Sequence, residues 1–391
     1  MKYPMTLSLL FSFCLSLTGL SAIADEKADE KSDAYQTKLE DLGRALFFDV
    51  SLSRDRTQGC GTCHDPSQAF IDWRENGVRR ALSMGNDMHS LGDRNAPTLS
   101  YAAMIPDFHR NSEGDYVGGL FWDGREADLE GQAGGPFLNP LEMQMTDKAA
   151  VVARLQEHTL FPRAFKSLFG EDVFEDTDMA FRRMTEAIAA FERTDFFSPF
   201  DSKYDRYLKG EYEPTVQEEL GMTLFFSQQF SNCNQCHQLK TFAESEGETF
   251  SSYKHFNIGT PVNREARQVN GLGMAHIDRG LLENPHVDDP AQAGKFKTPT
   301  LRNVALTAPY MHNGVFQDLK TVVQFYNKYN VRGKAADINP TTGEPWGEAE
   351  VSENIDLEKL QSTPALDERR IDALVAFMKM LTDKRYEHLV Q

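Results

Sequence analysis

Cysteine is scarce in this sequence, with five residues in 391. One of them, Cys14, lies in an apolar run near the amino terminus. The other four form two pairs, Cys60 with Cys63 and Cys233 with Cys236, and each pair is followed directly by a histidine. A disulfide requires no such histidine, so the pattern argues against a fold held by disulfides, the usual use of cysteine in exported proteins.

Basic residues are also in deficit. The chain has 41 Lys and Arg against 59 Asp and Glu, which gives a net charge of −18. Nucleic acid is therefore not expected as a partner, because phosphate binding needs a basic surface. The negative charge favours solubility and suits contact with a basic protein. Hydrophobic residues at 40% and charged residues at 26% are typical of a soluble globular protein, and the length leaves room for two domains.

Long apolar runs are absent after the amino terminus, so no stable membrane span is expected in the mature chain. Residues 1–24 contain an early lysine, an apolar stretch and a final small-x-small site, which predict a cleaved export signal and a periplasmic protein. The alternative is a retained anchor, but residues 6–22 are short for a span and include Ser and Thr. Residues 25–38 are charged and lack apolar periodicity, which predicts a flexible tether.

Strand-like alternation is nearly absent, and helical periodicity takes its place. Apolar residues recur at helical spacing in residues 181–191 and again in residues 371–381. Thr215 and Glu218 have the spacing of a capping box that opens another helix. The pattern predicts a mostly α fold.

A short pattern occurs twice in the same order. LGRALFF at residues 42–48 is identical at five of seven positions to LGMTLFF at residues 220–226. Each copy precedes one Cys-His motif, and APTLS at residues 96–100 is echoed by TPTLR at residues 298–302. The shared order predicts two related units, each built around one site.

The Cys-x-x-Cys-His spacing is present at Cys60 to His64 and at Cys233 to His237. In this motif the cysteines attach haem c by two thioether bonds, and the adjacent imidazole lies under the iron as an axial ligand. The alternative is a single zinc ion shared by both cysteine pairs. Zinc would leave both histidines without a role and would close a very long loop, so two covalently attached c-type haems are predicted.

Five segments, in unbroken order, are similar to those of one family. They are GCGTCHDPSQAF (59–70), RNAPTL (94–99), LFWDGREADLEGQAGGPFLNPLEM (120–143), FKTPTLRNVALTAPYMHNG (296–314) and TVVQFYNKYN (321–330). Together they resemble the bacterial dihaem cytochrome c peroxidase superfamily, and especially its MauG-type branch. Several motifs in order are far more specific than two haem motifs, which many multihaem cytochromes share.

The resemblance implies two cytochrome c-like haem domains related by internal duplication. The expected boundaries are 39–210 for the first domain and 211–391 for the second. Two segments rich in Gly, Pro and Asn, residues 105–145 and 256–300, are predicted to be long loops that wrap the cofactors and need them for order.

At the first haem the resemblance assigns the peroxide pocket to Gln132, Pro136 and Glu142. Cleavage of a bound peroxide needs a group that takes a proton from one oxygen and delivers it to the other, and a carboxylate in a dry pocket can do this. Glu142 is therefore the predicted acid/base. Trp122 matches a tryptophan that lies between the haems in relatives, where an aromatic side chain can relay an oxidising equivalent.

At the second haem the family divides. Peroxidases that take electrons from small donor proteins place a methionine in the helix after the PYxHxG motif, and the MauG-type branch places a tyrosine there. Tyr326 matches this position on the apolar face of a predicted helix without Met, and Tyr329 is the competing candidate. A phenolate ligand lowers the potential of the iron and stabilises oxidised states. His312 matches a family position and is expected to support the second haem by hydrogen bonding.

The resemblance also implies a calcium site between the halves. Asn95, Thr307 and Pro309 match its ligands, an Asn side-chain oxygen and two backbone carbonyls. Neutral oxygen ligands of this kind suit calcium, with waters in the remaining positions.

Two departures limit the transfer. The MauG-type pattern has a tryptophan two residues before the second motif, whereas this chain has Ser231, so Phe230 or a Trp346 expected to be exposed are candidate exits for the oxidising equivalent. Classical peroxidases use a loop histidine as a displaceable ligand of the first haem. His89 is offset by two residues from that position, so it is not assigned as a ligand and a surface role is expected.

The resemblance implies a periplasmic enzyme that uses hydrogen peroxide to bring the haem pair to a high-valent state, which then oxidises Trp or Tyr side chains of a partner protein. One alternative is reduction of hydrogen peroxide to water with electrons from a small cytochrome or copper protein, against which the lack of Met at position 326 argues. Another is a non-enzymatic electron carrier with two six-coordinate haems. The residues identify neither the partner nor the oligomeric state.

Overall fold

The computed structural model describes residues 18–239 and 247–390, with side chains from residue 32 onward. Residues 1–17 of the predicted export signal lie outside the described residues. Residues 25–38 were expected to be a flexible tether but form part of the first helix, with exposed side chains over residues 32–38. Ala, Glu and Lys are strong helix formers, and this propensity explains why the helix continues through a stretch with exposed side chains. Nowhere in the described residues is a helix both long and apolar enough to cross a membrane.

The described chain is built mostly from helices. They are α1 (Thr18–Phe48), α2 (Cys60–Cys63), α3 (Leu129–Leu138), α4 (Lys148–Glu157), α5 (Phe161–Phe169), α6 (Thr177–Glu192), α7 (Lys203–Leu208), α8 (Val216–Phe226), α9 (Arg264–Val269), α10 (Leu319–Asn327), α11 (Leu357–Leu360) and α12 (Glu368–Lys379). Strands form two antiparallel pairs, β1 (His109–Arg110) with β2 (Tyr116–Val117) and β3 (His255–Phe256) with β4 (Phe296–Lys297). The predicted mostly α fold class is confirmed.

The helices predicted from periodicity are present as α6, α8, α10 and α12. The predicted capping box opens α8, where the Thr215 hydroxyl accepts a hydrogen bond from the Glu218 N–H and the Glu218 carboxylate accepts one from the Thr215 N–H at 2.8 Å. The predicted loop at 105–145 is wrong in part, because it contains α3 and the short hairpin β1–β2.

The two halves repeat one helix crossing at the same positions. In the first half α1 crosses α6 so closely that a Cβ on Gly43 would lie 1.8 Å from the Ala187 carbonyl oxygen. In the second half α8 crosses α12, and a Cβ on Gly221 would lie 1.8 Å from the Ala373 carbonyl oxygen. These matched contacts support the internal duplication, while the exact domain boundaries stay a prediction.

Replacing Gly43 by Ala is expected to lower the free energy of unfolding of the holoprotein by about 1–3 kcal/mol, because the added methyl group forces the two helix backbones apart. Urea unfolding followed by far-UV circular dichroism measures this change. Gly92→Ala is the matched control, since its Cβ would be 3.7 Å from the nearest atom. Equal stability of both variants would show that the crossing tolerates a methyl group.

Buried polar contacts join the two halves. The Tyr101 hydroxyl donates to Asp383 Oδ1 at 2.5 Å, and Asn303 exchanges hydrogen bonds of 2.9 and 2.8 Å with the same aspartate. Arg94, which is nearly buried, pairs with Asp123 at 2.6 Å and with Asp278 at 2.7 Å. Separating the two halves would leave the charge of Arg94 or of Asp278 buried without a partner, which is costly. These contacts therefore favour one fixed arrangement of the halves.

Candidate haem sites and the cavity between them

The first Cys-x-x-Cys-His motif begins at the short helix α2. Cys60 and Cys63 are not joined in a disulfide. The Gln58 amide donates to the sulfur of Cys63 at 3.0 Å. His64 points Nδ1 at the Phe70 carbonyl oxygen, 3.1 Å away, and burial lowers the pKa of its imidazole. The ring is therefore neutral with Nδ1 as the donor, which leaves Nε2 free to bind a metal.

The second motif repeats this geometry. Cys233 and Cys236 are free thiols, and His237 Nδ1 lies 2.9 Å from the Phe250 carbonyl oxygen. Burial lowers the pKa of His237 to about 4, so this imidazole is neutral as well. In both halves a threonine braces the loop behind the histidine, since the Thr98 hydroxyl donates to the Ala69 carbonyl and the Thr300 hydroxyl to the Thr249 carbonyl.

These donor sets fit covalently attached haem. Each motif has two partly buried cysteines that form no disulfide, next to an oriented imidazole, as the attachment of haem c requires. Among the described residues, the two cysteine pairs do not come together in one metal-binding group, which a shared zinc ion would need.

One large cavity contains the predicted groups of the first haem. Its walls include Cys60, Cys63, His64, Trp122, Gln132, Pro136 and Glu142. The tertiary structure thus brings the first Cys-His motif together with residues of the predicted loop at 105–145. The residues proposed for calcium, Asn95, Thr307 and Pro309, border the same cavity.

Glu142 has the properties of a proton-transfer group. Asn139 Nδ2 donates to Glu142 Oε1 at 2.8 Å and fixes the carboxyl. Burial raises the pKa of Glu142 to about 7, although the nearby Arg125 and the Asn139 hydrogen bond act in the opposite direction. A carboxyl with this pKa can both accept and release a proton near neutral pH.

Pro136 lies inside α3 and faces the cavity. It has no N–H, so it cannot donate the helical hydrogen bond to the Gln132 carbonyl. The Gln132 side-chain amide makes no hydrogen bond among the described residues and also borders the cavity. The Gln132 carbonyl therefore lacks the donor that residue 136 would supply in a regular helix, and the Gln132 side-chain amide is available at the cavity wall.

The register of the duplication pairs Pro136 with Tyr326. In each half a bridge closes a turn, Leu120 with Glu126 and Tyr310 with Phe316, and an aspartate N-cap then opens the next helix. Asp128 caps α3 and Asp318 caps α10. Pro136 follows its cap at the same distance as Tyr326 follows the other. The first half thus carries a side chain that cannot bind iron where the second half carries a phenol.

Tyr326 faces the second motif. Burial raises the pKa of its hydroxyl, and the neighbouring Cys236 and Cys233 add to this effect, which places the ring beside the attachment cysteines. Its hydroxyl makes no hydrogen bond within the described part of the chain. Tyr329 differs, because its hydroxyl donates to the Ile258 carbonyl at 2.8 Å. The geometry therefore favours Tyr326 over Tyr329 as the axial group.

Trp122 and His312 lie on either side of Asn95. Trp122 Nε1 donates to the Asn95 carbonyl at 2.8 Å, and the Asn95 N–H donates to the His312 carbonyl at 2.7 Å. The His312 ring stacks on Phe296 with a centroid distance of 3.6 Å, and burial lowers its pKa to about 4. No hydrogen bond from the His312 ring to a residue of the second motif is found in the described residues.

Asn95 Nδ2 donates to the Ala81 carbonyl at 3.1 Å, and its side-chain oxygen has no hydrogen-bond partner in the described part of the chain.

The candidate exits of the oxidising equivalent have different environments. Trp346 was expected to be exposed, and this is wrong: it is 8% exposed and packs edge-on against Phe316 and Phe325. The turn-rich sequence around Trp346 suggested exposure, but it gives no information about the apolar side chains that other parts of the chain pack against it. Ser231 is buried and donates to the Leu224 carbonyl at 2.6 Å, whereas Phe230 is 43% exposed.

Sequence reasoning missed two ionisable groups of the cavity. Lys297 is buried, donates to the Gly119 carbonyl at 2.6 Å and the Phe121 carbonyl at 3.0 Å, and has its pKa lowered to about 7 by burial. Glu192 is the last residue of α6 and also borders the cavity. Glu192 directly follows the apolar stripe of residues 181–191, and a charged residue at the end of such a stripe is the signal that could have indicated it. Lys297 has no comparable signal in its surrounding sequence. His89 is exposed, as expected.

Comparison with known proteins identifies the class. A family model described as di-haem cytochrome c peroxidase matches residues 37–213. The chain belongs to this family, and the resemblance predicted from its motifs is confirmed. It is a dihaem enzyme of the MauG type, an oxidoreductase that depends on haem and acts on peroxide.

Individual relatives are similar over nearly the whole chain. The methylamine utilization protein MauG of Paracoccus denitrificans (strain Pd 1222) is 53% identical over 378 residues, covering 97% of this chain and 97% of that protein. The cytochrome c551 peroxidase of Nitrosomonas europaea is 31% identical, with 83% of each chain covered. The crystal structure of the diheme peroxidase BthA from Burkholderia thailandensis E264 superposes with a TM-score of 0.80 at 31% identity, covering 90% of this chain and 88% of that one.

Proposed function

We propose that this protein works in the periplasm, where it uses hydrogen peroxide to oxidise aromatic side chains, Trp or Tyr, of a partner protein. The single observation that carries this proposal is the pairing of Pro136 with Tyr326 in equivalent positions of the two halves. With haem bound, the first site would leave room for peroxide beside Glu142, and the second would offer the Tyr326 phenol as a ligand. The similarity to MauG over 97% of the chain supports the same reading.

The haems, when bound, supply iron centres that change oxidation state, which no side chain can do. Cys60 and Cys63 would hold the first haem and Cys233 and Cys236 the second, and His64 and His237 would each supply an imidazole ligand to the iron.

The chain's own residues provide the rest. Glu142 accepts a proton from the oxygen of peroxide nearer the first haem and returns it to the departing oxygen, which leaves as water. The Gln132 amide, which has no hydrogen-bond partner in the described part of the chain, orients the peroxide. Trp122, whose Nε1 donates to the Asn95 carbonyl, would relay an oxidising equivalent between the sites. Tyr326 contributes negative charge as a phenolate and so favours oxidised states of the second site.

The decisive experiment uses the anaerobically purified ferric holoprotein. One high-spin and one low-spin haem are expected by electron paramagnetic resonance, and stoichiometric peroxide without a donor should give a long-lived species with near-infrared absorption. Mass spectrometry of co-exported proteins, with and without this gene, then identifies the oxidised partner. Prompt decay with rapid turnover of a reduced small cytochrome would favour peroxide detoxification, and two low-spin haems that ignore peroxide would leave an electron carrier.

A calcium ion is also proposed, held by the side-chain oxygen of Asn95 and the backbone carbonyls of Thr307 and Pro309. We expect the purified protein to contain one calcium per chain by elemental analysis. Asn95→Ala should lower this content after dialysis, because it removes the one ligand that a side chain supplies. Asn111→Ala, in an exposed turn, is the control and should retain the ion. An Asn95 variant with undiminished calcium would place the ion elsewhere.

A further inference from the structure

Glu192 is a buried carboxyl for which the proposed peroxide chemistry has no use. Its side chain is 3% exposed and borders the cavity of the first haem site, close enough to Cys60 to raise the pKa of that thiol. Its Oε2 has no hydrogen-bond partner among the described residues. Burying a carboxyl without a partner is costly, so its presence on an otherwise apolar helix face asks for a reason.

The charged groups around Glu192 do not neutralise it. Arg193 follows it in the chain, but its guanidinium donates to both carboxylate oxygens of Glu130 on α3, at 2.7 and 2.8 Å. From α2 the neutral thiol of Cys60 faces it, and α1 contributes the ring of Phe47 against the neighbouring Phe191. Among the described residues, only Arg193 and Glu130 act on it as charges, and burial raises the pKa of Glu192 to about 8.

The duplication shows that this carboxyl is specific to the first half. AIAAFER at residues 187–193 of α6 aligns with ALVAFMK at residues 373–379 of α12, and the same glycine contact fixes each helix against its partner. Glu192 therefore corresponds to Met378. The half with the phenol has an apolar residue at this place, and only the half with the open site has an acid.

We propose that Glu192 is the proton-binding group coupled to oxidation of the first haem. The carboxyl holds a proton while the iron is reduced, and it releases that proton when the iron gives up an electron. One electron and one proton leave together, so the net charge of the buried cavity stays constant. In a cavity of low dielectric, positive charge gained by the iron favours the ionised carboxyl, and the carboxylate in turn stabilises the oxidised iron.

This role is distinct from that of Glu142, which exchanges protons with peroxide. It requires a bound haem but no particular protein substrate, so it stands whether or not a partner's aromatic residue is the final electron source. In the test below the oxidant is a soluble mediator at an electrode, which takes one electron from the ferrous haem while the proton of Glu192 passes to the buffer.

The test is a spectroelectrochemical titration of the holoprotein at a series of pH values, followed at the high-spin haem. The Glu142→Gln protein serves as the reference, because it removes the other cavity carboxyl that titrates near neutral pH. In this reference the midpoint potential of the first haem should fall as the pH rises through about 8, since the carboxylate that forms favours oxidised iron. Lys297 also borders this cavity, with its pKa lowered to about 7 by burial, but it is present in both proteins and its contribution cancels in the comparison. Adding Glu192→Gln should therefore reduce the fall of the potential around pH 8 relative to the reference.

Two further variants keep the result clear. Glu186→Gln, on the outer side of the same helix in an ion pair with Arg183, should keep the full pH dependence. Glu192→Met copies Met378 and replaces the Gln variant if the latter fails to attach haem. A potential that does not change with pH in the reference protein overturns the proposal, and so does a haem-loaded Glu192 variant with an unchanged slope.

Discussion

Glu142→Gln is expected to slow the reaction of the ferric holoprotein with hydrogen peroxide by about 10²- to 10⁴-fold, the range found for removal of a general acid–base group. The amide has nearly the same shape but cannot accept a proton, so the peroxide oxygens lose their proton carrier. Stopped-flow absorption at the high-spin haem measures the rate. A Gln variant that reacts at the wild-type rate would remove Glu142 from the mechanism.

The pH dependence gives an independent check of the same residue. Burial raises the pKa of Glu142 to about 7, and the carboxyl must be deprotonated to accept the proton of peroxide. The wild-type rate should therefore rise as the pH increases through about 7 and level off above it, and the Gln variant should lose this dependence. Asn139→Ala removes the hydrogen bond that lowers the pKa, so its profile should move to higher pH. Glu157→Gln, an exposed carboxyl paired with Arg56, is the control and should behave as wild type.

Tyr326→Met should abolish the long-lived near-infrared species formed by peroxide in the absence of a donor. A thioether is neutral and raises the potential of a haem, whereas a phenolate donates charge and lowers it. The variant should instead return quickly to the ferric state and accept electrons faster from a reduced small cytochrome. Absorption after rapid mixing measures the lifetime, and electron paramagnetic resonance of the ferric protein reports the changed ligand.

Tyr329→Phe is the matched control for this experiment. Its hydroxyl is occupied by the Ile258 carbonyl, so its removal should leave the haem spectra and the lifetime unchanged. Survival of the near-infrared species in the Tyr326 variant, or its loss in the Tyr329 variant, would exchange the roles of the two tyrosines.

Local sequence rules predicted the helices whose apolar stripes are regular. The Phe181 to Phe191 stripe became α6, and the capping box at Thr215 became the start of α8. Helix α3 was missed because Gly131, Gly134, Gly135 and Pro136 all oppose a helix when they are taken one by one. The Asp128 cap and the packing of α3 against α6 outweigh that propensity, and packing is not visible in a window of ten residues.

Burial was the least predictable property of the site. Trp346 is covered by Phe316 and Phe325, and Lys297 is enclosed by carbonyls from the other half of the chain. The elements that cover them are remote in sequence, and nothing in the surrounding residues indicates their approach.

The sequence by itself determined the chemistry of this protein: two haem-attachment motifs, a carboxyl and a tyrosine at matched places, and a chain order that defines its family. Those features depend only on which residues occur within a few positions of each other, because both covalent haem attachment and helix periodicity follow from residue identity at short spacing. Only the tertiary structure decided which groups share a cavity and which of them are buried. Packing within each half sets the approach of Tyr326 to the second motif, the pKa of Glu142 and the isolation of Glu192, because desolvation and electrostatic interaction depend on neighbours brought together by the fold.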